Sequence, residues 1–328
     1  MLGIIEITPW HWAGFILCIL FFLALDLGVF HRQSHVVKFK EALAWSIVWV
    51  ALSMLFAALL VPLRGKTEAV EFITGYVIEL SLSMDNVFVI ALIFAFFRVP
   101  SQYQHRVRFW GSLGALVMRG AMILAGAALI ERFEWVLYVF GAFLVFTGFK
   151  MFFAGQDGIE PGKNPVIRMA RKIFPVTDEL HGNKFLVRVN GRTLLTTLAL
   201  VLIVVETTDL VFALDSIPAI FAVTTKPFIV FTSNVFAILG LRSLYFVLAG
   251  AMDYFRYLKA GLAIVLVFVG SKMLLAPHGP DDEPHKWFQV DISTPISLLV
   301  VGGIITASIL LSVASRRWTK NAAQPQSK

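Results

Sequence analysis

The chain has 328 residues, 58% hydrophobic and only 15% charged, with a mean hydropathy of +0.79. A soluble domain carries about 25% charged residues, so the composition excludes an ordinary soluble enzyme and points to an all-α, polytopic membrane protein in a lipid bilayer. The formal charge of +7 comes from basic residues spread over the connections between apolar segments, which builds no basic face and excludes nucleic acid as a partner.

Apolar stretches of about 20 residues, the length that crosses a bilayer, predict nine spans. The first five lie near 9–30, 41–62, 70–97, 109–130 and 133–153, and the last four near 194–223, 228–251, 257–276 and 294–314. The first has no basic stretch before it and no A-x-A-like site after it, so it reads as a retained span and not as a cleaved signal. It carries Cys18, the single cysteine, which rules out an intramolecular disulfide and argues against a thiolate metal site.

Lysine and arginine set the expected orientation. With the N-terminus outside and the C-terminus inside, twenty of the 28 fall on cytoplasmic connections and six on outer ones. The other two, Arg119 and Arg242, lie within spans. One connection is long: residues 154–193 are expected to cap, on the cytoplasmic side, the two halves of a single membrane domain over 1–328. Its end, Lys184 to Arg192, alternates around Asn190-Gly191 as a hairpin with a two-residue turn does. The periplasmic segment 277–293 carries His278, Asp281, Asp282, Glu283 and His285 and reads as an exposed loop.

The third and sixth spans share an acidic pattern. Glu79-Leu-Ser-Leu-Ser-Met-Asp85-Asn86 answers Asp209-Leu-Val-Phe-Ala-Leu-Asp215-Ser216, with Glu206 one helical turn earlier. The next spans continue the match, with Met118-Arg119 and Ala125-Gly126 against Leu241-Arg242 and Ala249-Gly250. Leu144-Val-Phe-Thr-Gly148-Phe-Lys150-Met151 then answers Leu266-Val-Phe-Val-Gly270-Ser-Lys272-Met273. Two halves, about 70–153 and 194–276, are therefore expected to be repeats of three helices (helices 3–5 and 6–8). An odd number of spans per copy makes the second enter from the opposite face, the inverted arrangement that places a substrate site near the midplane.

Carboxylates at that depth need a reason, since each costs about 2.5–3.5 kcal/mol at a helix centre even on a lenient scale. Positions six apart on an intact helix lie about 120° apart, so Glu79 cannot share a face with Asp85, nor Asp209 with Asp215. Two resolutions are open. Pro218 lacks the amide that would bond the Leu214 carbonyl, and a helix broken there would offer a backbone oxygen beside Asp215. Alternatively, one acid of each pair holds an ion while the other meets Arg119 or Arg242 in the bidentate geometry a buried guanidinium favours.

Five carboxylates against two guanidiniums leave a formal excess of three negative charges, which suits a divalent cation with a proton and not an anion or neutral solute. The donors, carboxylates with Asn86, Asn234, Ser216 and carbonyls, are hard oxygens, and all seven histidines lie in loops or near span ends. That set suits Mg²⁺, Ca²⁺ or Mn²⁺ over Zn²⁺ or Cu. Asn234 reads first as an interhelical hydrogen bonder and second as a ligand. Asp26, at the inner end of the first span, stands apart from the repeat as an accessory candidate. There is no Ser/His/Asp set, phosphate loop or dinucleotide fingerprint, so neither enzymatic chemistry nor a bound organic cofactor is expected.

These residues carry a resemblance. Glu-x5-Asp-Asn-Val-Phe over 79–88 and Glu-x2-Asp-x5-Asp-Ser-Ile-Pro-Ala-Ile-Phe-Ala over 206–222 resemble signature blocks of the TerC family, closest to its Alx-type members. Phe228-Ile-Val-Phe-Thr-Ser-Asn234-x-Phe-Ala-Ile-Leu-Gly-Leu-Arg242 does so as well. The resemblance implies a bacterial inner-membrane exporter of manganese, with its functional acids at Glu79, Asp85, Glu206, Asp209 and Asp215. The expectation is a carrier with a periplasmic N-terminus and a cytoplasmic C-terminus, exporting Mn²⁺, with Ca²⁺ second, in exchange for protons. Asp85 and Asp215 are expected as ligands, and Glu79, Glu206 and Asp209 as ligands or proton carriers. Arg119 and Arg242 serve as counter-ions, and Asn86 and Ser216 add oxygens. A homo-oligomer is left open. The alternative is a non-transporting factor that assists metalation or assembly of membrane or secreted proteins, with loop 154–193 and the tail as its partner surface.

Overall fold

The structure is a computed structural model, and it describes residues 7–25, 39–153, 169, 172, 175–177, 182, 184–189, 191–249, 257–277, 289–290 and 292–322. Asp26, most of loop 154–193 and nearly all of segment 277–293 lie outside these residues, as do the side chains of Asp85 and Arg242.

Among the described residues the chain is mostly helical. In order come α1 (Pro9–Leu25), α2 (Phe39–Arg64), α3 (Lys66–Phe96), α4 (Ser101–Arg132) and α5 (Val136–Phe153). After a hairpin of β1 (Leu186–Val189) and β2 (Arg192–Leu195) follow α6 (Thr197–Phe221), α7 (Pro227–Ala249), α8 (Leu258–Leu275) and α9 (Thr294–Ala322). Seven of these helices are long and apolar enough to cross a membrane. The described parts of α1 and α7 are shorter apolar runs, Pro9–Phe22 and Pro227–Leu241, so the described residues account for seven of the nine expected spans by length and composition.

Local chemistry sets the ends. Gly65 (φ +98°) terminates α2, its amide donating to the Leu60 and Val61 carbonyls at 3.1 Å each. This left-handed glycine end lets α3 start at once. Thr196 caps α6, its hydroxyl accepting the Ala199 amide at 3.3 Å and donating to the Lys184 carbonyl at 2.7 Å, a cap that also ties the helix to the hairpin. Val189 faces Arg192 across β1 and β2, and Gly191 (φ +76°) lies in the two-residue connection, where the sequence placed a turn. Pro218 does not break α6, which runs unbroken from Thr197 to Phe221. Standing one turn from the helix end, it forfeits a single bond, and the Ala222 amide already donates to its carbonyl at 3.0 Å.

Helix α3 is central, packed against α2, α6, α7 and α9. The closest crossing joins α5 to α8, and glycine makes it. A Cβ on Gly148 would stand 2.8 Å from the Ala263 carbonyl and 3.0 Å from the Val267 amide; on Gly270 it would meet the Gly141 carbonyl at 2.7 Å and the Val145 amide at 2.9 Å. Backbone therefore meets backbone, as small residues permit between membrane helices. Ile78, Ile123, Leu144, Ile220 and Val265 fill the space between these elements. Phe146, Phe149, Phe152 and Phe153 of α5 point outward, an apolar surface that only lipid can cover.

Candidate functional site: a buried arginine among acids

Three helices meet at Arg119 of α4, which is 2% exposed. Its Nε and Nη2 reach the two carboxylate oxygens of Asp209 on α6 at 3.2 Å each, a bidentate fork. Its Nη1 bonds Oε1 of Glu79 on α3 and stands 3.4 Å from the Ser216 hydroxyl of α6. Glu79 is fully buried, and Ser83, one turn on, donates to the same Oε1 at 2.8 Å. Its other oxygen, Oε2, has no hydrogen-bond partner among the described residues. One guanidinium thus serves two carboxylates from two helices.

The remaining acids are divided. Glu206 lies against α4 where Gly114 makes room for it: a Cβ there would come within 2.1 Å of Oε1. Its Oε2 is buried without a partner among the described residues. Asp215 faces α5 instead, bonded by the Thr147 hydroxyl with the exposed Lys150 nearby. The 120° between Asp209 and Asp215 on an unbroken helix requires this separation. Among the described residues no group of three or more His, Cys, Asp or Glu side chains stands ready to hold a metal ion. Arg119 occupies Glu79 and Asp209, and Asp215 has turned away.

Beside the arginine is a cavity of about 80 Å³ between α3, α4, α6 and α7, room for a few waters or one partly hydrated ion. Ser83, Asn86, Arg108, Arg119, Asp209 and Tyr245 supply its polar wall. Arg108 lies over the Tyr245 ring at 4.4 Å, a cation–π contact. Asn86 Oδ1 and both polar atoms of Asn234 are buried with no partner among the described residues, so among these residues Asn234 makes no interhelical hydrogen bond. At the opposite end of the same helices an ion-pair group closes the bundle. Arg64 holds Glu68 with two bonds of 2.8 Å. Lys226, between α6 and α7, reaches Glu68 at 3.2 Å and Glu71 at 3.3 Å, and Thr224 donates to Glu71 at 2.9 Å.

Sequence reasoning missed this group, as well as Ser83, Gly114 and Arg108. The Glu79–Ser83 spacing of four was legible as a pair of helical neighbours; the Arg64–Glu68 pair across the break at Gly65 and the approach of Lys226 to Glu71 were not.

The model of the family described as integral membrane protein TerC matches residues 64–320. The chain belongs to the TerC family. TerC-family relatives cover nearly all of it. A protein of Myxococcus xanthus named as an uncharacterized membrane protein is 51% identical over 310 residues, 94% of each chain. Alx of Escherichia coli strain K12, named provisionally as a membrane-bound redox modulator, is 48% identical over 309 residues, 92% of this chain and 95% of Alx. An uncharacterized membrane protein of Rickettsia bellii is 39% identical over 303 residues, 91% of this chain and 97% of the relative. No solved structure matches the chain. With its family and its seven long apolar helices, this is an integral multi-pass membrane protein.

Proposed function

We propose that this TerC-family protein is a carrier that exports a divalent cation, Mn²⁺ ahead of Ca²⁺, across the bacterial inner membrane in exchange for protons. The observation that carries the reading is the buried Arg119 shared by Glu79 and Asp209, beside a cavity lined by Asn86, whose oxygen is unpartnered among the described residues. A purely structural ion pair satisfies its members; here Glu79, Asn86, Glu206 and Asn234 each keep a buried polar atom unbonded among the described residues. Asp85 and Asp215 act as ligands, with Glu79, Glu206 and Asp209 as ligands or proton carriers and Arg119 and Arg242 as counter-ions. The carrier performs no covalent chemistry.

The α5–α8 crossing supports two inverted repeats, α3–α5 and α6–α8. Gly148 meets positions 263 and 267, and Gly270 meets 141 and 145. The sequence match that pairs Gly148 with Gly270 turns the first set into the second. Two such halves, with α1 and α7 counted as spans, would give nine crossings with the N-terminus periplasmic and the C-terminus cytoplasmic. The cavity then lies on the cytoplasmic side of Arg119 and the Lys226 ion pairs close the periplasmic side, as in a carrier awaiting its load. With one cysteine in the chain no intramolecular dithiol is available for a redox role of the kind Alx is named for.

The test is Mn²⁺ uptake by inverted membrane vesicles under an imposed pH gradient, wild type beside Asp85→Asn. Uptake that needs the gradient and disappears in an inserted Asp85→Asn protein is expected. An inserted wild type that moves no Mn²⁺ refutes the carrier and leaves the assembly factor, for which deleting loop 154–193 should then abolish the phenotype.

A further inference from the structure

Asn234 sits 1% exposed in α7 with neither its Oδ1 nor its Nδ2 bonded among the described residues. Buried carboxamides ordinarily bond, and one that does not calls for a cause. Its neighbours behave otherwise: Thr232 donates to the Phe228 carbonyl at 2.8 Å and Ser233 to the Val230 carbonyl at 3.1 Å.

Register places it. Asn234, Ile238, Leu241 and Tyr245 stand at spacings of four, three and four, one face of a helix, and the last three line the cavity beside Arg119. On α3, Glu79, Ser83, Asn86 and Ile90 repeat the same spacing, and again the last three line that cavity. The two helices run in one direction, since Lys226 before α7 pairs with Glu68 and Glu71 at the start of α3. A Cβ on Gly75 would lie 2.9 Å from the Ser233 hydroxyl, which puts Asn234 within about a turn of the level of Glu79. Both cavity-lining faces therefore continue into a buried residue that keeps an oxygen unbonded.

We infer that Asn234 is a ligand residue for the transported cation, its Oδ1 joining Asn86 Oδ1 and Glu79 Oε2 in an oxygen-only site at the deep end of the cavity. The inference rests on the carrier reading. Carboxamide oxygens are hard and neutral: they add ligands for Mn²⁺, Ca²⁺ or Mg²⁺ without adding charge. Glu79 already shares its charge with Arg119. One carboxylate shared with Arg119 and two neutral carboxamides add oxygens to such a site without adding a further full charge, which keeps binding loose enough to release the ion, as a transport site must.

The experiment compares detergent-purified wild type, Asn234→Leu and Asn234→Asp, reading the Mn²⁺-dependent rise in thermal stability and the Mn²⁺ dependence of vesicle uptake. Asn234→Leu should fold, be at least as stable as wild type without metal, and weaken apparent Mn²⁺ affinity by about tenfold or more. Asn234→Asp, which keeps the oxygen, should retain Mn²⁺ binding. Unchanged Mn²⁺ dependence in Asn234→Leu overturns the inference alone, with the carrier reading intact. Equal loss of folded protein in both variants overturns it too, by assigning Asn234 to the packing of α7. A folded wild type that neither binds nor moves Mn²⁺ overturns the carrier reading, and the inference with it.

Discussion

Replacing Arg119 with Met removes the one guanidinium that Glu79 and Asp209 share. Glu79 is 0% exposed and would be left as a buried carboxylate with only the Ser83 hydroxyl for company. Asp209 is 17% exposed and can recover some hydration. Stranding one member of a buried ion pair costs about 3–5 kcal/mol, and the exposures assign most of that to Glu79. Adding Glu79→Gln to Arg119→Met should therefore restore more stability than adding Asp209→Asn. In double-mutant cycles the Glu79–Arg119 coupling should reach about 2–3 kcal/mol, near the upper end for direct contacts. The Asp209–Arg119 coupling should be smaller despite its two hydrogen bonds. Unfolding of the purified proteins in one detergent measures all five variants against wild type. An Arg119→Met protein as stable as wild type, or a rescue stronger from Asp209→Asn, would refute this account of the centre.

Glycine offers a contrast between packing and function. Gly148→Ala and Gly270→Ala force backbone from backbone, so each should destabilise by about 1–3 kcal/mol, the usual cost of overpacking, as unfolding in detergent would report. Gly114→Ala meets only the movable carboxyl end of Glu206; it should fold normally and slow Mn²⁺ uptake, and an unchanged rate would separate Glu206 from transport. Lys226 is 42% exposed, so its pairs are worth about 1 kcal/mol at most. Lys226→Gln should leave stability near wild type while hastening maleimide labelling of a Glu71→Cys probe in a Cys18→Ser background. Equal labelling with and without Lys226 would mean that its pair with Glu68, the one the probe leaves in place, does not close that end.

What could be read from the chain was what one helix decides by itself. The 120° between Asp209 and Asp215 separates them in any unbroken helix, and they face α4 and α5 respectively. Both resolutions of the acidic pairs were sound locally, but Pro218 stands too near the end of α6 to break it, which leaves the sharing of acids with an arginine. What stayed hidden depends on helices meeting. Gly114 gains meaning only when Glu206 arrives from α6, and Lys226 only when it reaches Glu71, 155 residues earlier. Asn234 shows the limit best. A buried Asn between helices ordinarily finds a partner, so composition favoured a hydrogen bonder; only the assembled bundle leaves both its polar atoms unbonded among the described residues. The repeat is the intermediate case. A match between Gly148 and Gly270 predicts nothing about contact until α5 and α8 cross, and then each glycine meets the positions that the match assigns to the other. In the proposed inverted repeat, an approximate two-fold axis through that crossing would relate the acids of α3 to those of α6. That would be the simplest reason for one arginine, Arg119, to reach corresponding acids, Glu79 and Asp209, on both helices.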